Sequence, residues 1–396
     1  MDAQMMNQSN TRCVLGVLLL LFASAAAGDE EQWLRYRWSR QAQQVLADVI
    51  SKELELSGQK PAGVKLPQYD ADAPLFARWP TPMIESGGIW VSLDHSRQNG
   101  PYDRLVIDSN ADGHLSDETG IPAYTTGQNR SLFGPVKVVL EAEDGPVTYH
   151  MNFEFSDYNN RPRLFVTSGG WYEGPIMVRG QQTYCRLVDH NVNGMFSDKS
   201  LNPNECDRIG IGQQDTLKTG PVGNYLIVDG VLYRPEVARD GAFIKLAAAE
   251  DVVYGRVKVP EAISEFAAEG ENGLFTIRPD KGTGKLPVGQ YRIQSWKIER
   301  KDDKGNTWTL AGQRFADKGI FDVNETAVTD LDVGEPIICT LAVQKKEAVY
   351  YFRRELKGRL GEEIKLTRNG ATPSPPELRI KKEDGTYDRT FSFEYG

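Results

Sequence analysis

The chain has 396 residues, long enough for two or three domains with cores of their own. Its 46 Lys plus Arg against 55 Asp plus Glu leave a net charge of −9, and no stretch is rich in basic residues. That excludes a nucleic-acid partner held by phosphate neutralisation, while 40% hydrophobic and 26% charged residues exclude a disordered or fibrous chain.

The first predicted element is a targeting segment. Residues 14 to 23 form a ten-residue apolar run behind Arg12, followed by Ser24-Ala25-Ala26-Ala27. This pattern predicts a secretory signal peptide over 1–27, removed after Ala27, and a secreted or periplasmic mature protein. The run is short of the roughly 20 apolar residues that span a bilayer, and no later run is longer, so no membrane span is expected after cleavage.

Residues 28–70 read as an N-terminal helix and linker. Leu34, Trp38, Ala42, Val45 and Val49 recur at steps of three or four, Asp29-Glu30-Glu31 suits a helix start, and Gly58 and Pro61 end the pattern. The spacing predicts a helix over about 29–57, docked on the next domain. From about Ile89 the pattern changes to short alternating segments separated by Gly, Pro, Asn and Asp, which predicts a β domain over 71–253. Similar segments continue to the C-terminus and predict a β-sandwich-like domain over 254–396. Leu246 to Asp251 and Pro260 to Ala268 read as short helices at the boundary. The fold class expected is therefore mainly β, with an N-terminal helix, a β domain carrying two special loops, and a C-terminal β-sandwich.

Those loops carry the chemistry. Residues 104–118 contain Arg-Leu-Val-Ile-Asp108-Ser-Asn110-Ala-Asp112-Gly113-His114-Leu115-Ser-Asp117-Glu118. Residues 186–198 contain Arg-Leu-Val-Asp189-His-Asn191-Val-Asn193-Gly194-Met195-Phe196-Ser-Asp198. They align as one internal repeat whose first aspartates lie 81 residues apart. Oxygen-bearing side chains at positions 1, 3 and 5, glycine at 6 and a backbone carbonyl at 7 suit a hard cation. Zn²⁺ would instead want Cys or His at tetrahedral spacing. Both loops resemble the EF-hand-type calcium loop in the D-x-N-x-D-G form also found in dockerin-like modules. The resemblance covers about 11 residues of each copy, without the flanking helices of an EF-hand. It implies Ca²⁺ held by Asp108, Asn110, Asp112, His114, Asp117 and Glu118 in loop 1, and by Asp189, Asn191, Asn193, Met195 and Asp198 in loop 2. His114 and Met195 enter as position 7, through their carbonyls. At position 12, Thr119 and Ser200 stand where the pattern has a bidentate Glu, and carboxylates come one or two residues early. Leu115 and Phe196 read as core contacts, and the His114 and His190 rings as solvated. Asx-rich turns without a metal are the competing reading, against which stands the repetition of the whole spacing.

Cys185 and Cys206 flank loop 2 and could form a disulfide or two buried thiols; Cys339 lies in an alternating strand and reads as core. No H-E-x-x-H, G-x-S-x-G, C-x-x-C, Walker A or G-x-G-x-x-G pattern is present. The reading is an exported, calcium-binding, non-enzymatic β protein with a structural or binding role, its partner an extracellular glycan or protein. Two alternatives stand beside it, a carbohydrate-binding module and a calcium-supported glycan hydrolase or lyase. Trp90, Trp171-Tyr172, Trp296, Trp308 and Tyr350-Tyr351 read mostly as sandwich core; Trp171, behind the glycine turn Ser168-Gly169-Gly170 that tends to present its neighbour at the surface, is the first of them to test as a sugar platform.

Overall fold

The computed structural model describes residues 30–394 apart from 99, 144 and 316. The predicted signal peptide lies outside the described residues. The protein is mainly β, with strands running from Gln32 to Ser392. The expected N-terminal helix is not there. Its residues form strands Gln32–Trp33, Arg35–Trp38 and Ser51–Leu54, and only Ala42–Val45 is helical. Each strand completes a sheet built by distant residues. Gln32 pairs Ile244, Tyr36 pairs Tyr172, and Leu54 pairs Leu164. Trp-Leu-Arg-Tyr-Arg-Trp alternates with the strand period inside the longer helical-looking stripe, and sheet pairing outweighs a propensity difference of tenths of a kcal/mol per residue.

Four sheets surround a first core, in which Trp79, Leu105, Tyr149, Leu164 and Phe196 are fully or almost fully buried. Two of them deliver the loops. In one, Tyr102–Ile107 pairs Gly88–His95 on one side and Ile121–Pro122 on the other. In the other, Gln181–Val188 lies between Gly170–Val178 and Arg208–Gly212. A second core, with Phe266, Tyr291 and Trp296, belongs to an eight-stranded sheet and a three-stranded one formed after residue 253.

The two boundary helices are also strands, Phe243–Ala248 and Ile263–Gly270. Phe266 to Gly270 is buried throughout, so the alternation that marks a half-exposed strand is missing there. Two further expectations are corrected, for Trp171 and Cys339, and one open alternative is resolved, for Cys185 and Cys206. Trp171 is 7% exposed and packs with Ala42, Leu46, Val49 and Val188, because the glycines before it lie within or beside paired strands and leave no protruding turn. Cys185 and Cys206 are free buried thiols, with burial raising them to about 12 and about 11. Cys339 is exposed, since its whole strand is. Among the described residues, no helix is long and apolar enough to cross a membrane.

Candidate functional site

Each loop begins where a central strand ends, Asp108 after Tyr102–Ile107 and Asp189 after Gln181–Val188. The two share their backbone conformation. Ala111 and Gly113 have φ of 59° and 85°, Val192 and Gly194 of 56° and 89°, so positions 4 and 6 are left-handed in both. That is strained for alanine and more so for β-branched valine, and it persists only where surrounding bonds overdetermine it. The bonds are a ladder of side-chain acceptors for backbone donors. In loop 1 the Gly113 amide donates to Asp108 Oδ2 at 3.0 Å, the Asp112 amide to Asn110 Oδ1 at 3.1 Å, and the His114 amide to Asp112 Oδ1 at 2.8 Å. In loop 2 the Asn193 and Gly194 amides donate to Asp189 at 3.2 and 2.7 Å, and the Met195 amide to Asn193 Oδ1 at 2.8 Å. Leu115 and Phe196 turn inward, 0% and 1% exposed, and tie both loops to the first core as expected.

The loops differ in how the first aspartate is satisfied. Asp108 is 1% exposed, yet its Oδ1 accepts no hydrogen bond. Burial pushes its carboxyl up to about 6, with repulsion from Asp112 and Glu118 adding to the shift. Asp189 is wholly buried, and besides the loop amides it accepts the Tyr149 hydroxyl at 2.7 Å. Tyr149 stacks on Trp79, whose indole N–H donates to the Val192 carbonyl at 2.8 Å and so clamps the strained residue. Burial raises Asp189 as well.

Closure differs too. In loop 1 Glu118 accepts the Ser109 amide at 2.6 Å and the Ser109 hydroxyl at 2.8 Å, so this carboxylate is engaged at position 2. In loop 2 Lys199 stands at Glu118's place, and a residue outside the repeat does the same work. Asp207 accepts the amides of His190 at 3.1 Å and Asp198 at 2.8 Å. Its carboxyl is pushed far up, first by burial and then by Asp189 and Asp198. Sequence reasoning missed Asp207, because it follows the repeat instead of belonging to it; the missing acid at position 11 was the available signal. Asp198 accepts the Asn191 and Asn193 amide groups at 2.8 and 2.7 Å. The His190 ring is buried rather than solvated, its Nδ1 against the Asp48 carbonyl. In loop 1, Asn110, Asp112 and Asp117 are exposed and His114 half-buried, its Nδ1 accepting the Lys65 amide at 3.2 Å.

Among the described residues, no three His, Cys, Asp or Glu side chains converge closely enough to hold a metal between them. An EF-type loop does not require that, since it draws ligands from Asn and from a backbone carbonyl as well as from carboxylates. Tested on donor chemistry, loop 1 fits a hard cation in that Asp108 presents a buried, unpaired oxygen at position 1, with Asn110 and Asp112 at positions 3 and 5, though the Asn110 amide group donates to Asp112 Oδ2 at 3.4 Å. Loop 2 fits less well. Asp189 is saturated by protein donors, and Asn193 and Asn191 direct N–H groups at Asp198 where an ion would require oxygens; its buried atom without a partner is Asn191 Oδ1.

Compared with known proteins, the chain matches no family model, no curated protein and no solved structure.

Proposed function

We propose that this chain is an exported, non-enzymatic β protein whose loop 1 holds a structural Ca²⁺, and that it serves a binding or structural role outside the cytoplasm. One observation carries the reading: Asp108 Oδ1, buried and without a partner, stands at position 1 of a loop with EF-type backbone bonding. An unsatisfied buried carboxylate oxygen costs on the order of 1–3 kcal/mol, and a bound cation removes that cost. Asp108, Asn110 and Asp112 would supply side-chain oxygens, His114 its carbonyl, and Asp117 a further carboxylate. Glu118 would keep the loop closed through Ser109 instead of binding the ion. Loop 2 is read as the copy in which Tyr149, Asp207 and two asparagine amides replace the ion. Around these loops the architecture is read as a β domain to about residue 253, followed by a β-sandwich.

The test is a thermal melt of the mature protein in EGTA and in about 10 mM Ca²⁺. With an extracellular-type Kd of about 10⁻⁴ to 10⁻³ M, calcium should add about 1.5 to 3 kcal/mol. Asp108→Asn keeps the shape and hydrogen-bonding capacity of the site but removes its charge, and should abolish the difference. Equal midpoints in EGTA and calcium for the native chain would sink the reading.

A second reading, glycan binding, is favoured by a different tryptophan from the one the sequence pointed to. Trp38 is 58% exposed and lies flat on the His150 ring, 5.2 Å between centroids at 11°. A glycan array should then show binding that Trp38→Ala removes.

A further inference from the structure

Among the described residues, the outermost strand of every sheet is short except one. The outer strands of the other sheets run from two residues, as in Gln32–Trp33, Thr125–Thr126 and Gly220–Pro221, to six in Leu75–Pro80. Ile338–Lys346 closes the eight-stranded sheet with nine residues, all exposed. Its only sheet neighbour, Val349–Lys357, joins the rest of the sheet through the single pair Lys357 and Glu363. The two strands therefore form an arm joined to the sheet at one end, with Leu341, Val343, Val349, Tyr350 and Tyr351 each about half-exposed and the two tyrosines lining a cavity with Leu378, Ile380 and Phe391. A two-stranded ribbon is marginal in water by itself, and short edges are how folds avoid unwanted pairing. A long outer strand with apolar side chains, on a fold whose other sheets end in short strands, marks an interface.

We propose that the occupant is a second copy of this chain, joined edge to edge through antiparallel pairing of Ile338–Lys346 about a two-fold axis at Ala342. The strand's own sequence supports this partner. With Ala342 opposite itself, Leu341 faces Val343, Thr340 faces Gln344, Cys339 faces Lys345 and Ile338 faces Lys346, so all nine residues are paired and no like charges stand opposite. Moving the axis to Leu341 sets Glu335 against Glu347 and brings Pro336, which has no amide to donate, into the ladder. Moving it to Val343 leaves Ile338 and Cys339 outside the paired strands. The seam is about 30 Å long and buries on the order of 1,000 Å² in total, the lower end for a specific interface. It does not depend on the ion.

The register makes the test specific. In a Cys339→Ser background, Ala342→Cys places two thiols opposite each other at disulfide distance, whereas Thr340→Cys places them four residues apart along the seam. Mild oxidation should cross-link the 342 variant to a dimer and leave the 340 variant monomeric. In sedimentation the native chain should have twice the monomer mass, and Leu341→Lys with Val343→Lys, both at exposed positions, should return it to monomer with an unchanged far-UV spectrum and a melt that no longer depends on concentration. A native chain that stays monomeric up to about 0.1 mM, or equal cross-linking at 340 and 342, would overturn the proposal.

Discussion

Loop 1 and loop 2 begin on the same kind of strand end, carry left-handed residues at the same two positions and bond their position-6 and position-7 amides to the same side-chain acceptors. Yet Asp108 Oδ1 stays bare where the matching oxygen of Asp189 receives the Asn193 amide, the position-5 amide that loop 1 gives to Asn110 instead, and Asp189 Oδ2 gains the Tyr149 hydroxyl besides. Glu118 closes the first from within, and Asp207 closes the second from outside. One backbone solution thus stands on two electrostatic ones. A buried carboxylate must be neutralised or fully hydrogen-bonded, and the chain has an ion-shaped answer in one copy and a protein-built answer in the other.

Removing the protein-built answer should have the largest effect. Asp189→Ala strips the acceptor from two loop amides and from a buried tyrosine hydroxyl, and should cost on the order of 3 kcal/mol in denaturant unfolding, a loss that calcium does not restore. Recovery in calcium would show that loop 2 also depends on an ion, and the contrast between the copies would fail. Next comes Tyr149→Phe, which takes the hydroxyl donor from Asp189 Oδ2 and leaves that oxygen the Gly194 amide alone, and should cost about 1–3 kcal/mol in EGTA. A loss below a few tenths would mean that the hydroxyl is not what distinguishes the loops.

The smallest effect is a pH dependence that sharpens the loop 1 side. Asp108 is raised to about 6 in the folded chain from an ordinary 3.8. Without calcium its contribution therefore favours the fold below the ordinary value and is lost as pH rises through about 6. Calcium takes the ionised form, so protons compete with it. The calcium-induced rise in melting midpoint should be small near pH 5 and reach full size above about pH 7. A shift of the same size at both pH values would remove Asp108 from the ligand set.

How far each feature was legible follows from the range over which its cause acts. The loops could be read because their ladder joins residues two to five apart, so spacing alone carries the geometry. Leu115 and Phe196 were legible as core for the same reason. The segment 29–57 was not: Leu34, Ala42, Leu46 and Val49 are buried as the helical stripe requires, but Val45 is 59% exposed and the strands there are held by partners more than a hundred residues away. Trp171 reads as exposed from its glycines and is covered by Ala42, Leu46 and Val49, which only folding brings near.

The sequence by itself determined a mainly β chain and two oxygen-rich turns of one design, because strand alternation and Asx bonding are local. Which of those turns keeps a bare carboxylate was decided only by tertiary structure. Tyr149 and Asp207 reach Asp189 and the amides around it from strands and loops outside the repeat, and the cost of a buried charge depends on all that surrounds it.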